Sequence, residues 1–376
     1  MVLLRNIISY LKKYGNTSFS DYPFNETDSL LLCQITYLNL ESFIPNVDDN
    51  LEDISLIDFI NNKNVRILTR KTFDEKRNTK LLFELTKTTR YGKLLVNNFQ
   101  QRFDVDIVEQ FCAMTFVFDD FIYVAYRGTD MSLIGWYEDF NMAFLDVIPA
   151  QDDATRYLEK ICNKTDKKMY IGGHSKGGNL AVYSSLFISN ENISRIINIY
   201  DYDGPGFNKD IFSNEEYLRI ESKIKKYTCK ESIVGMILCH SEKVTFIDSK
   251  GLSILQHNPY NWKIKKDGSL KRYKNANLIS RVFERTVKEF LEKTPLENRK
   301  QLVEISFTIL MEHPLSDLFD VAKNPIRYYR GIKRRYNALP HVEKVLVKFL
   351  FKRYVKLWND NMAMYLKRRF NFGNKK

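Results

Sequence analysis

The chain has no C-x-x-C pair, no run of 18 apolar residues, no internal repeat and no low-complexity stretch. Its five cysteines (Cys33, Cys112, Cys162, Cys229 and Cys239) are scattered and odd in number, and no Cys/His cluster stands at zinc spacing. They read as reduced core residues of an intracellular protein, and no metal site is expected. Without a long apolar run, a membrane-spanning helix is not supported. The opening "MVLLRNIISYLKKYG" is interrupted by Arg5, and no small-residue cleavage site follows it. It reads as an amphipathic N-terminal helix within residues 1–20 and not as a signal peptide, so cytoplasmic residence is expected. Histidine is also scarce: five residues must supply any imidazole chemistry.

Apolar residues are plentiful. At 376 residues, 44% apolar and 14% aromatic, the chain can build one large domain with a sizeable core and an appendage. Charge is unevenly placed. Residues 327–376 carry fifteen Lys and Arg against only Glu343 and Asp360, a net +13, whereas the whole chain is +12. The body is therefore near neutral. Such a tail suits peripheral contact with an anionic surface, such as the inner face of a membrane, and no nucleic-acid module accompanies it.

Residues 1 to about 100 read as mostly helical, with "SLLLCQITYLNLE" as a buried helix. From 111 the pattern changes. "FCAMTFVF" and "FIYVAYRG" are β-branched and aromatic runs joined by Asp119-Asp120, which predicts a hairpin. Helical spacing follows in "SLIGWYEDFNMAFL" and "QDDATRYLEKIC", then a strand in "KKMYIGG" and a helix in "GGNLAVYSSLFI". "RIINIYDYDGPG" and "EKVTFID" supply further strands, and after about residue 275 helical spacing runs to the end. Alternating strands and helices predict an α/β domain over residues 21–270, with a largely parallel sheet covered on both faces. A basic helical extension occupies residues 271–376.

One turn stands out. In "YIGGHSKGGNLAVY", Gly173, Ser175 and Gly177 form G-x-S-x-G between a strand and a helix. A chain of this length carries those letters by chance roughly one time in ten, so context decides. Glycines on either side let strand and helix approach closely, and Ser175 falls beyond the carboxyl end of a strand, where open α/β sheets place their sites. A nucleophilic serine needs an oxyanion hole, usually the N–H that follows it plus one from an earlier loop. Lys176 would give the first; the strand ending in Arg127-Gly128-Thr129 supplies the second.

The "YRGTD" and "GWYEDF" segments, followed by "GGHSKGGNLA", resemble the class 3 lipase family of α/β-hydrolases. More closely, the chain resembles the bacterial Mbeg1-like family. That resemblance extends from "FNETDSLLLCQITYLNLE" through "YDYDGPGF" and "SIVGMIL" to "QHNPYNW", roughly residues 20 to 265. It implies an α/β-hydrolase-like fold and serine-hydrolase chemistry on acyl-ester or lipid substrates, with no cofactor. It also implies that Thr129 occupies the oxyanion-hole position, giving its N–H with its hydroxyl as a further donor, and that Arg127 and Asp139 form a structural pair.

In this fold the triad follows the chain order Ser, acid, His. His174 lies inside the elbow, and His313 and His341 lie in the helical extension, which leaves His257 and His240. His257, in "LQHNPYNW" after the last strand, is the expected base; His240, in "ILCHSEK", is the alternative. Class 3 lipases carry their acid in a segment that matches "ESIVGM" here, where Ser232 takes the acid's place. Asp203, at the end of "YDYD", is the expected acid, with Glu231 as the alternative. The reading is a serine ester hydrolase acting through Ser175. The competing reading is a non-catalytic protein of the same fold that binds a membrane surface or a partner.

Overall fold

The computed structural model describes residues 5–49, 51–207, 209–311, 317 and 324–373. Among the described residues, eight strands form one sheet in sequential order. They are β1 (Ile54–Ser55), β2 (Leu95–Asp104), β3 (Glu109–Val117), β4 (Phe121–Tyr126), β5 (Lys168–His174), β6 (Ile196–Tyr202), β7 (Ile224–Cys229) and β8 (Val244–Ile247). Strands β1 to β4 pair antiparallel, and β4 to β8 pair parallel. The protein is thus an α/β fold. The expected hairpin is β3–β4, closed by Asp119-Asp120 with Phe118 N–H on the Phe121 carbonyl at 2.9 Å.

The sequential order dictates how the sheet is covered. Right-handed crossovers that all step the same way put their helices on one face. That face carries the helices Pro149–Lys164, Lys176–Leu186 and Glu215–Ile220, which bury Tyr157, Leu180, Tyr217 and Ile220 against Val124 and Ile171. The other face is left to segments outside these crossovers. Helices Ile7–Tyr14, Glu26–Ile35 and Glu75–Leu85 cover it, together with Tyr260 and Trp262. Strand β4 shows the alternation: Ile122, Val124 and Tyr126 pack on the first face, Tyr123 and Ala125 on the second.

β1, β2 and β7 depart from the sequence reading. β2 lies in a stretch read as helical; a register shift between Asn97 and Gln100, with Asn98 at φ +53°, breaks its two-residue alternation. β7 has no counterpart in the sequence reading; it precedes the "ESIVGM" segment, which is a turn with a short 3₁₀ helix at Val234–Met236.

The C-terminal region is helical, in Leu278–Lys293, Leu296–Leu310, Pro325–Ala338 and His341–Gly373. Leu350 and Leu357 are buried on the inward face of the last helix, which packs on Leu278–Lys293. Asn361 donates to Thr286 there at 3.3 Å. Helix Leu296–Leu310 lies on helix Leu133–Asn141, with Phe307 stacked on Tyr137 at 4.6 Å. Among the described residues, no helix is long and apolar enough to cross a membrane. His313 lies outside the described residues.

Candidate active site

The elbow is built by close backbone approach. A Cβ on Gly173 would lie 2.2 Å from the Gly177 carbonyl, and one on Gly177 would lie 2.2 Å from the Tyr126 carbonyl oxygen. Only glycine lets β5, β4 and the helix Lys176–Leu186 meet so tightly. Between them Ser175 is held at φ +60°, ψ −135°, its N–H on the Tyr202 carbonyl at 2.9 Å. For an L-residue that conformation is strained. Lys176 begins the helix, so its N–H has no carbonyl four residues back.

The Lys176 side chain turns inward. Its Nζ is fully buried, 2.5 Å from Glu138 Oε2 and 2.7 Å from the Gln110 carbonyl oxygen. Gly128 packs against the elbow: a Cβ there would lie 2.3 Å from the His174 carbonyl oxygen and 2.9 Å from Ser175 Cβ. The following residue, Thr129, is thereby brought to Ser175. Its hydroxyl donates to Asp139 Oδ2 at 2.6 Å. Burial raises the Asp139 carboxyl to about 6, against the opposing effects of Lys176 and Thr129. The expected Arg127–Asp139 pair is not present. Arg127 is buried and reaches Asp130 at 3.7 Å, because Asp139 turns towards Thr129 and Lys176.

Asp203 and His257 meet although 54 residues separate them: His257 Nδ1 lies 2.7 Å from Asp203 Oδ2. Asp203 sits just past β6 at φ +57°, fully buried, and its Oδ1 accepts the Cys229 N–H at 3.2 Å. Burial by itself would raise this carboxyl. The hydrogen bond and charge of His257, with a hydrogen bond from Ser232, outweigh it and hold Asp203 below its ordinary range. Ser232 thus supports an acid that arrives from the neighbouring strand.

The two alternatives go elsewhere. Glu231 accepts from Asn277 Nδ2 at 2.6 Å and from the Ser253 N–H at 3.3 Å. His240 lies 3.4 Å from Glu242, in a cluster with the Lys226–Asp201 pair, and its side chain is nearly buried.

His174 has a place that the sequence reading missed. Its ring lies 4.4 Å from that of His257, and its Nε2 is 2.8 Å from the His257 carbonyl oxygen. Tyr37 donates toward its Nδ1 at 3.1 Å. No spacing in the sequence links Tyr37, His174 and His257; the fold alone brings them together.

Ser175, His257, His174, Thr129 and Asp139 line one cavity of about 160 Å³. Phe73, Met131, Trp136, Val234, Ile254 and Pro259 add apolar wall, and Gln34, Tyr37, Asp130 and Asn258 complete the lining. The arrangement combines a strained serine, an imidazole tied through Nδ1 to a buried carboxylate, and a helix N-terminus beside a largely apolar cavity.

Residues 85–308, more than half of the chain, match the family model of Mbeg1-like proteins, and the chain belongs to that family. No curated protein matches it.

Proposed function

We propose that this member of the Mbeg1-like family is a serine ester hydrolase acting through an acyl-enzyme on Ser175. The observation that carries the reading is the 2.7 Å contact between Asp203 and His257 Nδ1, in a cavity that His257 shares with Ser175. A neutral imidazole that donates from Nδ1 keeps its lone pair on Nε2. In the proposed reaction Nε2 takes the Ser175 hydroxyl proton as Oγ attacks the ester carbonyl carbon. The main-chain N–H groups of Thr129 and Lys176 hold the oxyanion. When the tetrahedral intermediate collapses, His257 returns the proton to the leaving alkoxide and the alcohol departs. Water then repeats the sequence on the acyl-enzyme: His257 deprotonates it, the acid leaves, and Ser175 regains its proton. The chain order Ser175, Asp203, His257 and the strand–elbow–helix setting are those of α/β-hydrolases, which supports the same reading.

The cavity sets a size. About 160 Å³ is close to a dry cavity that accepts one benzene molecule, so an acyl group of roughly six carbons fills it. A longer chain has to leave past Phe73 and Ile254, both about half exposed. Short acyl esters are therefore the expected model substrates.

A fluorophosphonate probe tests the assignment. Wild type should be labelled on Ser175 and should hydrolyse p-nitrophenyl butyrate faster than the decanoate, and Ser175→Ala should do neither. Folded wild-type protein that neither labels nor cleaves any acyl ester would hand the fold to the non-catalytic, surface-binding reading.

A further inference from the structure

We infer that the helices Pro325–Ala338 and His341–Gly373 dock the protein on an anionic lipid surface through their outward faces. The sequence suggests a single apolar stripe from Leu339 to Trp358, but the fold splits it. Leu350, Leu357 and Asn361, spaced seven and four residues apart, point inward and are buried. Opposite them, Val342, Val345, Phe349, Lys352 and Lys356 recur at three- and four-residue steps and share the outward face. Val342 is 77% exposed, Val345 51% and Phe349 55%. Phe351, at 67%, flanks this stripe together with Lys344 and Lys348.

The preceding helix repeats the pattern. Tyr328 is buried and Arg335 Nε donates to the Ile309 carbonyl at 2.7 Å, which fixes the inward side. Ile326 and Tyr329 are about two-thirds exposed, and Arg330, Lys333 and Arg334 are exposed beside them.

An ordinary solvated face explains the lysines but not the exposed aromatic and β-branched side chains among them. Rings interleaved with cations suit the headgroup boundary of an anionic bilayer, where the rings enter the acyl edge and the cations meet phosphate. Charge complementarity selects this occupant. Asp360 is the one acid in the last helix past its first turn, and the helix Pro325–Ala338 has none. A second copy of the chain would bring two strongly cationic surfaces together. Arg368, Arg369, Lys375 and Lys376 extend the cationic run, but their side chains lie outside those described.

Sedimentation with phosphatidylcholine vesicles, with and without about one-third phosphatidylglycerol, tests the docking at low and high salt. Wild type should sediment only with the anionic vesicles, and high salt should weaken binding. The variant Lys348→Glu/Lys352→Glu/Lys356→Glu should partition at least about 100-fold more weakly, corresponding to about 1 kcal/mol for each cation removed. Phe349→Asp should also weaken it, while circular dichroism shows both variants folded, since all four side chains are exposed. Equal binding to neutral vesicles, or undiminished binding by the triple variant, would overturn the inference. So would failure to bind vesicles combined with self-association that Phe349→Asp abolishes, because that face would then join copies of the chain.

Discussion

The main-chain carbonyl of His257 accepts the Nε2–H of His174 at 2.8 Å, so one histidine of the cavity holds the loop that carries the other. Since Nε2 must donate, the neutral ring accepts at Nδ1, where Tyr37 supplies its hydroxyl at 3.1 Å. Burial, followed by the nearby charge of His257, pushes the His174 pKa down to about 3. A charged ring has no place at that site. The sequence reading set His174 aside as a base, and its neutral, fully engaged ring suits an anchor.

Acid should therefore destabilise the fold through His174. Its folded pKa lies below the unfolded value near 6.5, so its contribution is complete above 6.5 and is lost as pH falls towards about 3. Between pH 7 and pH 4.5 the wild type should lose about 2.5 kcal/mol more than His174→Gln, which keeps a donor but does not titrate. Urea unfolding at the two pH values measures the difference. Identical pH dependence in the two proteins would mean that His174 accepts a proton as readily folded as unfolded.

The acid assignment separates two neighbouring carboxylates. Asp203→Asn should lower kcat on short acyl esters by about three to four orders of magnitude, because an amide at that position no longer fixes the tautomer or stabilises the imidazolium of His257. Glu231→Gln should stay within about ten-fold of wild type, since its carboxylate ties Ser253 to Asn277 and does not reach the imidazole. Steady-state kinetics on both variants decides, and the opposite ranking would move the acid to Glu231.

The parts of this site that were legible in the sequence are those encoded locally. Glycines two residues either side of Ser175, a strand before and a helix after define an elbow without tertiary information. The hairpin at Asp119-Asp120 was equally plain. β7 was hidden because Lys225 and Lys226 interrupt its apolar pattern, yet Lys226 is fully buried and lies 2.6 Å from Asp201. A buried ion pair looks like a surface segment until its partner is known. The same holds for Lys176, whose buried contact with Glu138 spans 38 residues. The Arg127–Asp139 pairing, which the family resemblance implied, failed for a related reason: Thr129 and Lys176 set the direction of Asp139.

The Thr129 hydroxyl offers a narrower test. It already donates its proton to Asp139 at 2.6 Å, so Thr129 would serve the oxyanion through its N–H and not its hydroxyl, beside the N–H of Lys176. Thr129→Val keeps that N–H and the branched shape while deleting the hydroxyl. Its kcat should fall by less than about ten-fold, whereas loss of a true oxyanion-hole donor costs about 100-fold or more. A drop of the larger size would assign the hydroxyl to the oxyanion and place Asp139 in support of it.

Ser175 itself allows a prediction that needs no substrate. Its φ of +60° and ψ of −135° are near the mirror image of the polyproline conformation, a region that L-residues avoid and glycine enters freely. Strain of this kind costs about 1–3 kcal/mol and persists only where surrounding structure enforces it. Here the enforcement is visible: the Ser175 N–H is tied to Tyr202, its carbonyl accepts the Gly178 N–H at 2.8 Å, and Gly173 and Gly177 clamp the turn from both sides. Ser175→Ala and Ser175→Gly should both be inactive, yet they should differ in stability. Alanine keeps the strain; glycine relieves it, offset by about 0.5–1 kcal/mol of extra chain entropy in the unfolded state. The glycine variant should therefore be more stable than the alanine variant by about 1 kcal/mol, read from urea unfolding midpoints at equal slope. If alanine instead proves more stable than glycine by about 0.5–1 kcal/mol, the turn stores no strain at Ser175, and the elbow is an ordinary tight turn.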